Sequence, residues 1–233
     1  MWSIEKVLVT TINVTFLFNW LISSDILWYG FKIFMNFKSK INNFDIFIFI
    51  DDICKLTSLN VLKFQKINLI YTDKNYNDKK FHLIRQFCLK KKINLFVINE
   101  YKIAIKFKLS GIIITHDKRG IIYNGNPLSK KIELKILGKV HNQNDFFIKQ
   151  KQGCGGVFLS PIFNTQKYSL NHILKIPKFN LISNYWNTKI FALGGINFSN
   201  VNKLKNTKVC GFGFQSFLDK KKAHLLLSKR AFL

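Results

Sequence analysis

"TKIFALGGINFSNVNKLKN" (residues 188–206) opens with a short apolar run, passes through two glycines and ends in polar residues. An apolar run of this length, closed at once by glycine, is the pattern of a strand buried on both faces. Asn197 and Ser199 follow as residues able to cap a helix. Gly194 and Gly195 therefore stand where a strand hands over to a helix. Two residues without side chains at such a junction serve a tight turn with positive φ, or let something approach the backbone closely. The rest of the chain decides whether that something is a phosphate.

Working outward, the same kind of run recurs at 44–50 (FDIFIFI), 66–72 (KINLIYT), 93–99 (INLFVIN), 110–117 (SGIIITHD), 134–142 (LKILGKVHN), 155–163 (GGVFLSPIF) and 208–217 (KVCGFGFQSF). Helical spacing lies between several of them. Residues 78–92 place Phe81, Leu83, Ile84, Phe87 and Cys88 on one side. Residues 99–110 repeat Ile103, Ile105 and Phe107 among lysines, residues 142–153 open with Asn and stop at Gly153, and residues 197–206 start with cap residues. Eight strand signals alternating with helices predict a (β/α)8 barrel, an α/β TIM barrel. Their spacing of roughly 20 residues is tight but workable for βα units. An open doubly wound sheet is the alternative; it needs no pairing between the first and last strands.

Composition narrows the function. With 48% hydrophobic and 15% aromatic residues, the 233-residue chain can build a sizeable core. The formal charge of +25 invites a nucleic-acid reading, but only Arg85, Arg119 and Arg230 are arginines. Base readout and phosphate forks favour arginine. A chain crowded with Phe, Ile, Asn and Lys looks instead like the product of an A+T-biased genome, so we expect no nucleic-acid partner. Cys54, Cys88, Cys154 and Cys210 are far apart and form no CxxC pair, which predicts reduced thiols in a cytoplasmic protein. Residues 7–24 carry no charge. Their Thr, Asn and Ser content argues against a membrane span, and no signal-peptide cleavage pattern follows. Residues 1–40 are read as a helical N-terminal extension: a peripheral helix, a weak anchor, or translated sequence preceding a start at Met35. Residues 41–233 form the barrel.

In a barrel of this kind chemistry sits at the C-terminal ends of the strands. The residues there are Asp51 and Asp52, Thr72 to Lys74, Asn99 and Glu100, Thr115 to Asp117, His141 and Asn142, Ser160, Asn164, Thr165 and Lys167, Gly194 and Gly195, and Gln215 and Ser216. This polar set suits a charged, phosphate-bearing ligand with a divalent cation. Glycines after the seventh and within the eighth strand suit the usual phosphate cradle of the fold.

The stretches "GGVFLSPIFNTQKY" (155–168), "IFALGGINFSNVNKLK" (190–205) and "CGFGFQSF" (210–217) resemble the thiamine-phosphate synthase and TenI family. In that family a pattern near G-P-[IV]-[FY]-x-T-x-[ST]-K is followed by A-[IL]-G-G-I and a small-residue eighth strand. "ILGKVHN" (136–142) is similar to its fifth-strand G-x-S-x-H with one position missing. The family's enzymes join a pyrimidine methyl diphosphate to a thiazole phosphate. The resemblance implies that Thr165, Gly194, Gly195 and Ser216 hold the thiazole phosphate, that Lys167 and Lys74 neutralise the departing diphosphate, and that Asn99 faces the pyrimidine. It implies Mg²⁺ after strands 3 and 4, where this chain offers Glu100 and Asp117. The chain departs from the pattern there: Asn99-Glu100 replaces Asn-Asp or Asp-Asp, and "THDKRG" (115–120) replaces G-Q-E-D, with Lys118 at the last position. After strand 2, Ile70 and Thr72 replace Gln and Arg and only Lys74 is kept. A TenI-like thiazole tautomerase, with His141 as acid or base, and a phosphate binder without turnover are the alternatives. His116 shares the strand-end position with His141 and has no identifiable partner in the sequence.

Overall fold

The computed structural model describes residues 44–52, 66–120, 134–165, 172–197 and 199–215. They belong to one compact unit, Asn43–Leu233. The expectations for residues 1–40 and 7–24, and for Cys54, Lys167 and Ser216, lie outside the described residues. Eight strands follow one another: β1 (Asp45–Ile50), β2 (Ile67–Tyr71), β3 (Asn94–Ile98), β4 (Gly111–Ile114), β5 (Lys135–Val140), β6 (Gly156–Leu159), β7 (Lys189–Leu193) and β8 (Gly211–Phe214). Among the described helices are α1 (Lys79–Lys91), α2 (Tyr101–Lys106), α3 (Gln143–Lys151), α4 (Lys175–Tyr185) and a 3₁₀ helix (Val201–Asn206).

Every strand pairs in parallel with the next, and β1 pairs with β8 in the register Asp45↔Gly211 to Ile48↔Phe214. The sheet is a closed barrel, so the open-sheet alternative falls and the (β/α)8 reading stands. All eight strands fall inside the apolar runs read from the sequence, because residues buried on both faces leave little choice of type.

The interior is filled by Phe47, Phe49, Ile70, Phe96, Ile113, Leu137, Phe158, Phe191 and Leu193. The Phe47 ring meets Phe96, Phe158 and Phe191 edge-on, with centroids 5.7, 4.9 and 5.0 Å away. Such geometry suits aromatic quadrupoles, and each buried ring contributes about 2 kcal/mol of hydrophobic stabilisation. So many rings need small neighbours. A Cβ on Gly111 would lie 2.5 Å from the Phe96 ring, one on Gly156 2.9 Å from Phe191, and one on Gly213 2.7 Å from Leu193.

The helices follow their end signals. The Asp78 carboxylate accepts from the Phe81 N–H at 2.8 Å to cap α1, which ends at Lys92 in the left-handed region. Its buried stripe is Phe81, Ile84 and Cys88; Leu83, expected on that side, is exposed. Asn142 caps α3 by accepting from the Asp145 N–H. Residues 197–206, expected as a helix, form the 3₁₀ helix only from Val201. Among the described residues no helix is long and apolar enough to cross a membrane. Cys88, Cys154 and Cys210 are free thiols, and burial raises the Cys88 and Cys154 pKa values to about 12.

Candidate functional site

The glycine pair after β7 first answers to the chain itself. Gly194 and Gly195 have φ of 92° and 68°, a region that favours glycine. The loop after β6 runs alongside them: Ile162 N–H donates to Leu193 O at 3.0 Å, and Phe163 N–H to Gly194 O at 3.1 Å. A Cβ on Gly195 would stand 2.4 Å from the Asn164 carbonyl oxygen, and one on Gly194 2.8 Å from Pro161 Cα. The pair therefore brings Thr165, next after Asn164, against the end of β7. The Thr165 hydroxyl is buried and has no hydrogen-bond partner among the described residues. Nor does any described residue accept from the N–H of Gly194 or Gly195. Unsatisfied donors in a sheltered place are what an anion's oxygens satisfy.

The turn beyond the glycines is closed by asparagines. The Asn197 carboxamide oxygen accepts from Ser199 N–H, Ser199 Oγ and Asn200 N–H, and Asn200 Nδ2 donates to Gly195 O at 2.8 Å. The amides expected to meet a phosphate at the helix start are thus taken by Asn197. Among the described residues, the N–H groups of Gly194, Gly195 and Ile196 are left without an acceptor.

Across the top of the barrel, Asn99 follows β3 with φ 59°. Its Nδ2 donates to Thr115 Oγ1 at 2.8 Å, and its Oδ1 accepts from Thr115 N–H at 2.9 Å. This reciprocal pair ties the ends of β3 and β4. The Thr115 hydroxyl is in turn hydrogen-bonded to the Asp117 carboxylate and holds it below the usual carboxylate range. Glu100 is exposed at the start of α2, and Lys74 is exposed on the loop after β2. Glu100 and Asp117 thus follow neighbouring strands. Among the described residues no three His, Cys, Asp or Glu side chains group as a metal site.

His141 follows β5. Its backbone N–H donates to Asp145 Oδ2 at 3.1 Å, and its Nδ1 lies 2.8 Å from Ser160 O. A carbonyl only accepts, so Nδ1 carries the proton and Nε2 is the basic nitrogen. Burial lowers the His141 pKa below its ordinary value, only partly offset by that hydrogen bond, and the neighbouring His116 adds to the lowering. The two imidazoles meet edge-on with centroids 4.8 Å apart. His141, Ser160, Pro161, His172 and Lys178 line a cavity of about 390 Å³ between the ends of β5 and β6 and α4. A second cavity, of about 410 Å³, opens at the opposite mouth, where Asp45, Asn94 and Lys189 begin their strands. That end of a TIM barrel serves stability, and Asn94 Nδ2 is already bound to Asn68 Oδ1.

The structure thus brings Gly194, Gly195 and Thr165 together, sets Asn99, Glu100 and Asp117 along the adjoining β3–β4 ends, and puts His141 beside β6. Thr115, the hub of the second group, was visible only as a strand-end hydroxyl two residues before an aspartate.

A family profile described as thiamine monophosphate synthase matches residues 69–216. No curated protein matches the chain. Among solved structures the chain is similar to the thiamine phosphate pyrophosphorylase of Pyrococcus furiosus, with 16% identity and TM-score 0.59 over 82% of this chain and 95% of that one. It is also similar to the N-(5'-phosphoribosyl)anthranilate isomerase of Pyrococcus furiosus, with 13% identity and TM-score 0.54 over 82% of this chain and 100% of that one. A third likeness is to KGPDC of Streptococcus mutans, with 7% identity and TM-score 0.56 over 81% and 96%. Identities this low carry the barrel and nothing finer. The match to the family profile runs over more than half the length, and the chain belongs to the thiamine monophosphate synthase family.

Proposed function

We propose that the protein is a transferase that joins a hydroxymethylpyrimidine diphosphate to a thiazole phosphate. One observation carries the reading: the buried, unpartnered Thr165 hydroxyl lies beside the two glycines after β7, whose N–H groups meet no described acceptor. The thiazole phosphate sits there, with Ser216 beyond β8 as a further donor. The bond between the pyrimidine methylene carbon and the diphosphate oxygen breaks, the diphosphate leaves with the electron pair, and the thiazole nitrogen supplies the pair that forms the new C–N bond. Lys74 and Lys167 neutralise the leaving diphosphate, and Asn99 holds the β4 end through Thr115 on the pyrimidine side. Two carboxylates do not make a closed all-protein site, but they fit Mg²⁺, which one or two carboxylates and substrate phosphate oxygens commonly hold. Glu100 and Asp117 are those carboxylates. The ion would stabilise negative charge on the departing diphosphate. The protein's partners on this reading are phosphorylated small molecules, handled in the cytoplasm.

The test incubates the purified chain with both phosphorylated precursors and Mg²⁺ and follows the joined product by chromatography. Product formation that falls at least tenfold in Lys167→Ala is expected. No product, or a variant indistinguishable from wild type, overturns the reading. A second reading, tautomerisation of the thiazole phosphate alone, is favoured by His141, a neutral imidazole fixed in one tautomer at the mouth of a cavity. Interconversion of thiazole tautomers by NMR, lost in His141→Ala, separates the two.

A further inference from the structure

Lys149, in a chain whose lysines read as surface charge, is 0% exposed on α3. Its Nζ donates to Lys118 O at 2.7 Å and to Gln152 Oε1 at 2.9 Å. Gln152, itself 1% exposed, donates Nε2 to the same Lys118 carbonyl at 2.9 Å. The lysine stem passes beneath β5 at Gly138, where a Cβ would lie 2.7 Å from Lys149 Cγ and 3.0 Å from its Cβ and Cδ. Glycine at 138 is what leaves the passage open.

Burying an ammonium costs several kcal/mol, and an apolar side chain of similar volume fills space at lower cost. Burial accordingly lowers the Lys149 pKa. What the charge gains is a double hold, with Gln152, on one carbonyl, that of the residue after Asp117. The next residue is held as well: Arg119 lies 3.7 Å from the Asp145 carboxylate, which also accepts from His141 N–H. Asp117 is therefore gripped from both directions, by Thr115 before it and by α3 after it.

We propose that Lys149 and Gln152 are positioning residues: they form a strut, admitted by Gly138, that sets the Asp117 loop to receive the diphosphate and its cation. The strut rests on the transferase reading for its purpose. It replaces the missing family acidic residue at position 118 with geometry, since the backbone of Lys118 serves as the anchor point.

The experiment uses the full chain and the variants Lys149→Met, Gln152→Leu and Gly138→Ala. Calorimetry measures inorganic pyrophosphate with Mg²⁺, and separately thiazole phosphate; hydrogen exchange follows residues 116–119. Pyrophosphate binding is expected to weaken about 10- to 100-fold, the range for residues that orient metal ligands. Thiazole phosphate binding should stay within about twofold, since its donors lie at the β6 and β7 ends, and exchange at 116–119 should accelerate. Gly138→Ala should reproduce Lys149→Met by expelling the stem. Gln152→Leu, which keeps the buried ammonium and its bond to Lys118 O, carries the test if Lys149→Met does not fold. Folded variants that bind pyrophosphate as wild type does, or that lose both ligands in parallel, overturn the strut. A wild type that binds both ligands but forms no product defeats the transferase reading and leaves the strut standing. A wild type that does not bind pyrophosphate with Mg²⁺ overturns both.

Discussion

Replacing Gly195 by alanine should cost the fold about 3 kcal/mol and displace the loop that carries Thr165. The backbone there has φ 68°, which an alanine adopts at a cost of about 1 kcal/mol. The added methyl would stand 2.4 Å from Asn164 O and 2.7 Å from Phe163 C, both backbone atoms that no rotamer change can move. Overpacking of this kind costs about 1–3 kcal/mol. Relief requires the loop to retreat, which breaks the Ile162 N–H to Leu193 O and Phe163 N–H to Gly194 O bonds at about 1 kcal/mol each. Strain and retreat are alternatives, so about 3 kcal/mol is the net. For a chain of this size that lowers Tm by about 6–12 °C. Urea denaturation of purified protein measures the loss, with Gly120→Ala as control because a Cβ there meets nothing within 4 Å. The control should stay within about 0.5 kcal/mol of wild type. Thiazole phosphate affinity should fall at least about tenfold, as the donors separate. If Gly195→Ala and Gly120→Ala lose the same stability, the close approach described at the β6–β7 junction is wrong.

Thr165→Ala should leave stability unchanged within about 0.5 kcal/mol, because its hydroxyl has no described partner to lose, while weakening thiazole phosphate binding about tenfold; a stability loss without a binding loss refutes the anion role. Asn99→Ala should destabilise by about 1–3 kcal/mol, since it orphans the Thr115 N–H and leaves an alanine at φ 59°, and Asn99→Gly should recover only the backbone part. Chemical denaturation of both variants checks this. His141 has a folded-state pKa below its ordinary value near 6.5, so the unfolded chain takes up the proton first and stability falls as pH drops below about 6.5. NMR titration should place the His141 midpoint below that value, and His141→Gln should flatten the stability profile there.

The barrel was legible because most strands are apolar on both faces, from DIFIFI to GFGF, with β5 and its Lys135 and Lys139 the exception. Helix α4 was not: it begins at Lys175 with Leu174 before it offering no side-chain cap, carries Pro177 in its first turn, and exposes Leu181 and Tyr185 while burying Phe179 and Ser183. Neither the cap nor the periodic face that marks a helix is there to read. At the site, the glycines and Thr165 stood out through residue type and order. The pairing of Asn99 with Thr115 did not, because it joins two loops through hydrogen bonds that no spacing encodes. Lys149 was hidden among many solvated lysines; only the glycine at 138 made room for it, and that link crosses from strand to helix.

The seam between β1 and β8 has a consequence for biogenesis. The strand Asp45–Ile50 leaves the ribosome about 160 residues before its partner Gly211–Phe214. At elongation speeds of about 5–20 residues per second, a strand apolar from Ile46 to Ile50 waits on the order of ten seconds with one rim unsatisfied. During that interval the nascent chain is a natural client for a holding chaperone, and a transcript cut short before codon 211 yields a polypeptide whose first strand stays permanently sticky.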